Sequence, residues 1–438
     1  MKINLDCKVI PVIFAVQLHR GVEQLVARRA HNPEVVGSSP ASATIKGKSK
    51  GFSFFLYIRG NYKLMNAMKT VSKSLLLTFL SALSLLSGCK SGEDNSRFYR
   101  ENLEKIIVDE NIPLIQLRYI SPEEDIALQI ENPAYKDSLS TGCSQGTPEP
   151  AVFQAASLSK PVFAYIVMKL YENGELDLDK PLYEYTDIDR FVDKEMAKKL
   201  TARIVLSHRS GLPNWSKKVR SDDWHISPIK FIFPVDSCFG YSGEAFAFLQ
   251  RAVEKIRGKA IEEIAKEEVF EPLGMEHTSY IWIPAYDTLA VDGYNKRGIS
   301  KGVGYKHVVG NVGYSLRTTA EDYSKFIQAL LNGTGLKPET AQFMLEPNRK
   351  PIFKKGVNFS TLSWAQGIYT EENPVHGKLV FHGGDNGTFK AFFLINPKVQ
   401  STMVFFTNSS NGFKIIEPVT RMFLKDTAHL EIYDWYNI

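Results

Sequence analysis

Cysteine is scarce in this chain: Cys7, Cys89, Cys143 and Cys238 are the whole complement among 438 residues. That count excludes a scaffold built from disulfides, and no two of them form the Cys-x-x-Cys pair of a zinc or redox motif. The nine histidines are equally uninformative for metals, since none stands in His-Glu-x-x-His or another ligand spacing. No metal and no organic cofactor is therefore expected. The net charge is +5, but lysines and arginines gather into no stripe with interleaved aromatics, so nucleic acid is not an expected partner. Internal repeats and low-complexity tracts are missing after Cys89. What the chain does have is 44% hydrophobic and 23% charged residues, near the globular average, enough to bury a core in one large domain or two ordinary ones.

The first ninety residues do not belong with the rest. Residues 69–89, KTVSKSLLLTFLSALSLLSGC, begin basic, run apolar and close on Leu86-Ser87-Gly88-Cys89, the layout of a secretory signal. The apolar stretch from Leu75 to Leu86 is too short to span about 30 Å of hydrocarbon as a helix. The small residues before Cys89 resemble a bacterial lipobox, which makes Cys89 the expected lipidation site and mature N-terminus. Residues 65–88 are then the signal peptide, 89–97 a lipid-anchored tether, and the protein an exported lipoprotein held at the cell envelope. Residues 1–64 precede a signal that should itself be N-terminal, and 21–44 resemble a conceptually translated transfer-RNA gene. They are expected to be a start-site artefact without a stable fold. Cys143 and Cys238 remain as a pair that an oxidising compartment would allow to bond, a question spacing leaves open.

Strand-like runs lie at 113–118, 125–129, 378–382, 388–395 and 401–407, separated by Gly, Asn and Pro turns. Helical periodicity occupies 157–173, 243–257, 260–269 and 319–332. The expected class is α+β, a mainly antiparallel sheet built from both ends of the domain (98–432), flanked by helices, with a largely helical inserted region at 175–310. The helix opening at Ser157 carries Pro161 in its first turn, a wide apolar stripe through Val162, Phe163, Ile166, Val167 and Leu170, and Gly174 as its stop.

Ser157 and Lys160 stand three apart, so one helical face presents both. A serine hydroxyl becomes a nucleophile when a base takes its proton, and a lysine serves as that base only where burial or a nearby charge lowers its pKa. Alone, the spacing is equally a helix-capping serine and a surface lysine. Its surroundings say more. FQAASLSKPVFAYIVMKLYENGELDLDKPLYEY (153–185), LSHRSGLP (206–213) and FEPLGMEHTSY (270–280) together resemble, in the right order, segments of the serine β-lactamase and penicillin-binding-protein family. The closer branch is the class C-like one with its esterases and D-amino-acid peptidases, because the class A partners Ser-Asp-Asn and Lys-Thr-Gly are missing.

The resemblance implies a β-lactamase/transpeptidase-like fold with Ser157, Lys160 and Tyr241 as catalytic residues. Tyr241, in Phe239-Gly240-Tyr241-Ser242-Gly243, holds the place of the family's Tyr-x-Asn tyrosine. As a phenol or phenolate it is expected to take the serine proton and later deliver it to the leaving group, with Lys160 favouring the phenolate. Gly243 departs from the family's Asn, which puts β-lactam recognition in more doubt than hydrolysis. His382-Gly383-Gly384-Asp385 matches the inner-strand element: the N–H groups of Ser157 and Asp385 would form an oxyanion hole, and His382 would face the pocket and tune its charge. His208 and His277 read as structural loop residues. A lipase-like α/β-hydrolase is set aside, its His-Gly-Gly loop preceding a Gly-x-Ser-x-Gly elbow. The expected substrate is a small ester, amide, D-peptide or β-lactam. The alternative is an envelope lipoprotein that has lost turnover and binds peptidoglycan fragments or a partner.

Overall fold

Residues 390–396, KAFFLIN, and 401–407, STMVFFT, are apolar on both faces, as strands must be when helices cover a sheet from both sides. By contrast DIALQIE, 125–131, alternates exposed and buried positions and forms an edge. The computed structural model describes residues 95–437 except 137–138, 140–146, 218–220, 222 and 349–351. The segment 1–64, the signal at 65–88 and Cys89 lie outside the described residues, as does Cys143; Cys238 is a free, exposed thiol.

A seven-stranded sheet forms the middle layer. Its strands are β1 (Leu114–Ile120), β2 (Asp125–Glu131), β3 (Leu362–Trp364), β4 (Tyr369–Asn373), β5 (Gly377–Asp385), β6 (Lys390–Asn396) and β7 (Ser401–Thr407). They lie in the order β2-β1-β7-β6-β5-β4-β3, antiparallel throughout, so β1 from the start of the domain inserts beside β7 from its end. The fold is therefore α+β, with the sheet drawn from both ends and a largely helical region between them. On one face, Val404, Phe406, Phe393 and Val380 pack against helix α2 (Ser159–Glu172) and the inserted helices, among them α3 (Gly243–Arg257) and α4 (Ala320–Asn332). On the other, Phe405, Phe392 and Leu379 meet helix α1 (95–109), α5 (Ile416–Leu424) and α6 (Glu431–Asn437).

Helix α2 is buried almost all round, from Ser159 to Met168 without a break. Gly174, at φ 73°, follows its C-cap in the left-handed conformation that glycine adopts without a Cβ penalty. Two boundaries differ from the sequence expectation. The chain is already helical at 95, inside the expected tether, and it continues past 432 through α6.

A buried carboxylate ties α6 down. Glu371 on β4 is 1% exposed and accepts the N–H groups of Glu431 and Ile432 at 3.1 and 3.0 Å. Burial raises its pKa to about 7, although those two donors work the other way. Glu371→Ala leaves both helix donors unpaired and is expected to cost about 1–3 kcal/mol. Faster amide exchange across 431–437 checks this; unchanged exchange there contradicts it.

Candidate active site

Ser157 occupies a 3₁₀ turn, Ala156–Leu158, that runs directly into α2. The turn is unusual backbone: Ala156 sits at φ 51°, a left-handed position that costs a residue with a Cβ about 1–3 kcal/mol unless its surroundings hold it. They do. Tyr323 of α4 donates to the carbonyl of Leu158 at 2.9 Å, Tyr280 donates to that of Ser159 at 2.8 Å, and the Ser159 hydroxyl donates to that of Ala156 at 2.6 Å. Strand β5 approaches so closely that a Cβ on Gly384 would lie 2.3 Å from the carbonyl oxygen of Ala155.

Lys160, one helical turn on, is 1% exposed. Its Nζ donates to the Gly313 carbonyl at 2.7 Å and to Ser157 Oγ at 3.2 Å, and lies 4.8 Å from the centroid of the Tyr241 ring. No carboxylate pairs with it among the described residues. Burial alone brings its pKa down to about 7, within reach of the free amine at neutral pH. Tyr241 stands just before α3, whose N-cap Ser242 accepts from the Ala245 N–H at 3.0 Å. Desolvation raises the Tyr241 pKa, with a hydrogen bond to Ser157 acting in the opposite sense. Of the two expected forms, phenol and phenolate, loss of water around the ring favours the phenol.

His382 lies on β5, 1% exposed, with Nδ1 on the Gly383 carbonyl at 2.8 Å. Burial, and secondarily the charge of Lys160, hold it down to about 3. It is a neutral wall rather than a source of charge. Asp385 ends the strand, its carboxylate paired with Lys390 and accepting from the Gly387 N–H at 2.7 Å. Two cavities, of about 270 and 460 Å³, share Ser157, Asn214 and Asp385. Lys160, Trp215, Gly313 and Asn386 line the smaller; Tyr241, His382, Gly383 and a set of aromatics line the larger. A separate cavity of about 580 Å³ around Arg190 and Trp224 does not touch Ser157.

Sequence reasoning missed three residues here. At Gly243, a Cβ would fall 2.3 Å from the Trp215 indole, so Trp215 fills the space a side chain at 243 would need. Its neighbour Asn214 accepts the Gly243 N–H through Oδ1 at 2.9 Å and, with Ser157, lines both cavities. The signal was the Pro-Asn-Trp directly after LSHRSGL. The third is His208, read as a loop residue. It is fully buried, accepts the Ser242 N–H at 3.1 Å and packs 4.2 Å from the Tyr241 ring, so it positions the tyrosine. His277 engages through its backbone: its N–H donates to Asp322 at 2.6 Å and its carbonyl accepts from the Tyr286 hydroxyl at 3.0 Å.

Gly142-Cys143-Ser144-Gln145-Gly146 does fit Gly-x-Ser-x-Gly, but it lies outside the described residues. An α/β-hydrolase elbow tops a mainly parallel sheet, and this sheet is antiparallel throughout.

Sheet, helices and cleft together define a β-lactamase/transpeptidase-like fold. The family model described as Beta-lactamase matches residues 141–418, and the chain belongs to that family. Penicillin-binding protein 4 of Amycolatopsis lactamdurans is 28% identical over 148 residues, 32% of this chain and 39% of that protein. A solved class C beta-lactamase, 16% identical, aligns with a TM-score of 0.64 over 78% of this chain and 98% of its own. A D-stereospecific amidohydrolase from Streptomyces sp., 15% identical, aligns with a TM-score of 0.59 over 75% and 99%. The chain spans about half or less of the length of the curated relatives it matches.

The exchange between Gly243 and Trp215 is testable. Gly243→Asn alone is expected to lose about 1–3 kcal/mol of stability through overpacking against the indole. Combined with Trp215→Ala it should recover most of that loss in urea denaturation. Strictly additive losses would mean the two side chains do not compete for one space.

Proposed function

We propose that this chain is a serine hydrolase that works through an acyl-enzyme on a small ester, amide or D-peptide at the cell envelope. The observation that carries the reading is the buried Lys160 amine, within 3.2 Å of Ser157 Oγ and without a carboxylate partner. Nucleophilic catalysis by a hydroxyl needs such a base beside it.

The steps follow from the charge states. Lys160 as the free amine takes the Ser157 proton while Oγ attacks the substrate carbonyl. The resulting ammonium lies beside the developing oxyanion, which the N–H groups of Ser157 and Asp385 are proposed to receive. Tyr241, a phenol, hands a proton to the leaving group and takes one back from the Lys160 ammonium, which returns to the free amine. Water then attacks the acyl carbon, its proton passing to Lys160 and on to Ser157 Oγ as the acyl group leaves as the acid. The Asn214 amide offers a donor to an acyl or peptide carbonyl in place of the family's Asn, so amides and β-lactams stay within the chemistry proposed. That both a class C beta-lactamase and a D-stereospecific amidohydrolase share the fold supports this range. Envelope location is proposed from the leader at 69–89 and lipidation of Cys89. It is checked by mass spectrometry of the mature N-terminus.

Lys160→Ala and Tyr241→Phe are each expected to lower kcat/KM by about 10²–10⁴-fold. Ser157→Ala should abolish labelling by a fluorophosphonate. Combined variants should lose little beyond the worst single one, since the three groups act as a unit. The ammonium cannot accept a proton, so kcat/KM should rise with pH through about 7 and then level off. Equal labelling of wild type and Ser157→Ala would instead favour a protein that binds without turnover.

A further inference from the structure

The larger cavity beside Ser157 has a composition the catalytic steps do not use. Its walls are aromatic and continuous: Phe239 and Tyr369 lie 6.5 and 5.2 Å from Trp435, ring centre to ring centre, and Phe413 lies 4.8 Å from Tyr436. Trp435 and Tyr436 come from α6, held in place by Glu371. Tyr436 fits over β5 because Gly383 has no Cβ; one there would stand 2.3 Å from the Tyr436 hydroxyl.

Charge in this cavity is lopsided. The Asp385 carboxylate is neutralised by Lys390, and His382 is an uncharged imidazole. Lys354, on the short hairpin strand Ile352–Lys354, is half-buried and lines the same wall. Its ammonium sits 4.7 Å from the centre of the Trp435 ring and donates one hydrogen bond to the Trp435 carbonyl. Among the described residues, two of its three donors remain unused and no carboxylate faces it. Burial, with Lys355 adding to it, lowers its pKa, the mark of a cation short of a counter-charge.

We propose that this flank of the cleft recognises a flat apolar substituent bearing a carboxylate, the ring lodged among Phe239, Phe413, Trp435 and Tyr436 and the anion paired with Lys354. The proposal rests on the acyl-transfer reading, since it assigns the substrate class of that same cleft. Aromatic faces favour a ring set edge-on or offset against them, and a partly desolvated lysine–carboxylate pair is stronger than one in open water. A cavity of about 460 Å³ accommodates a substituted ring with its carboxylate.

The test measures binding without turnover, using Ser157→Ala protein and calorimetric titration with 4-acetoxybenzoate and its neutral counterpart 4-acetoxybenzamide. The carboxylate is expected to bind about ten- to a hundredfold tighter. Adding Lys354→Met should bring the two affinities together, and Lys354→Arg should keep most of the difference. Equal affinities in the Ser157→Ala protein, a preference that survives Lys354→Met, or no binding of either compound at millimolar concentration would each overturn the proposal. Failure of the wild-type enzyme to label with a fluorophosphonate counts against the hydrolase reading and leaves this binding ratio untouched, so the two failures are told apart.

Discussion

An amine buried without an anion is the constraint from which the rest of this site follows. Water stabilises an ammonium strongly, and a protein interior that withholds both water and a carboxylate shifts the balance toward the free amine. At Lys160 the shift comes from burial alone. The two acceptors the protein supplies, the Gly313 carbonyl and the Ser157 hydroxyl, are neutral, so either protonation state can be held. The same dryness keeps Tyr241 a phenol and His382 an uncharged imidazole. Exclusion of solvent around the start of α2 is thus the largest influence on all three groups, and it favours charge states that suit proton transfer from a hydroxyl.

Keeping that region dry demands close packing, and glycine supplies it where backbones meet. Gly384 lets β5 lie against the Ala155 carbonyl, which helps hold Ala156 in its left-handed conformation and Ser157 at the helix entrance. Gly243 admits the Trp215 indole, which in turn sets Asn214 across the N-terminus of α3. At the departure from Tyr-x-Asn, a neighbouring loop thus places an indole against Gly243 and an amide on its N–H. The C-terminal helix completes the enclosure on the other flank through Trp435 and Tyr436.

Much of this was legible in the amino-acid order because it is governed locally. Five apolar runs become β1, β2, β5, β6 and β7, and the Ser157–Lys160 contact follows from three-residue spacing on one helical course. The three-residue strand β3 is too short to show a period, and the aromatic helix α6 has too few turns to separate from a loop. His208 and Lys354 were invisible for a different reason: each acts through a partner tens of residues away, Tyr241 and Trp435. The charge states also escaped sequence reasoning, since a lysine beside a tyrosine argues for phenolate until the depth of burial is known.

The central claim is that Lys160 is a neutral base near physiological pH, and the most direct measurement is its own titration. Protein carrying ¹³C-labelled lysine, compared with Lys160→Ala to assign the signal, gives the Lys160 Cε chemical shift as a function of pH. A midpoint near 7 is the expected result. A midpoint near the ordinary lysine value of about 10.4 would mean that the amine stays charged, and would leave Ser157 without a base.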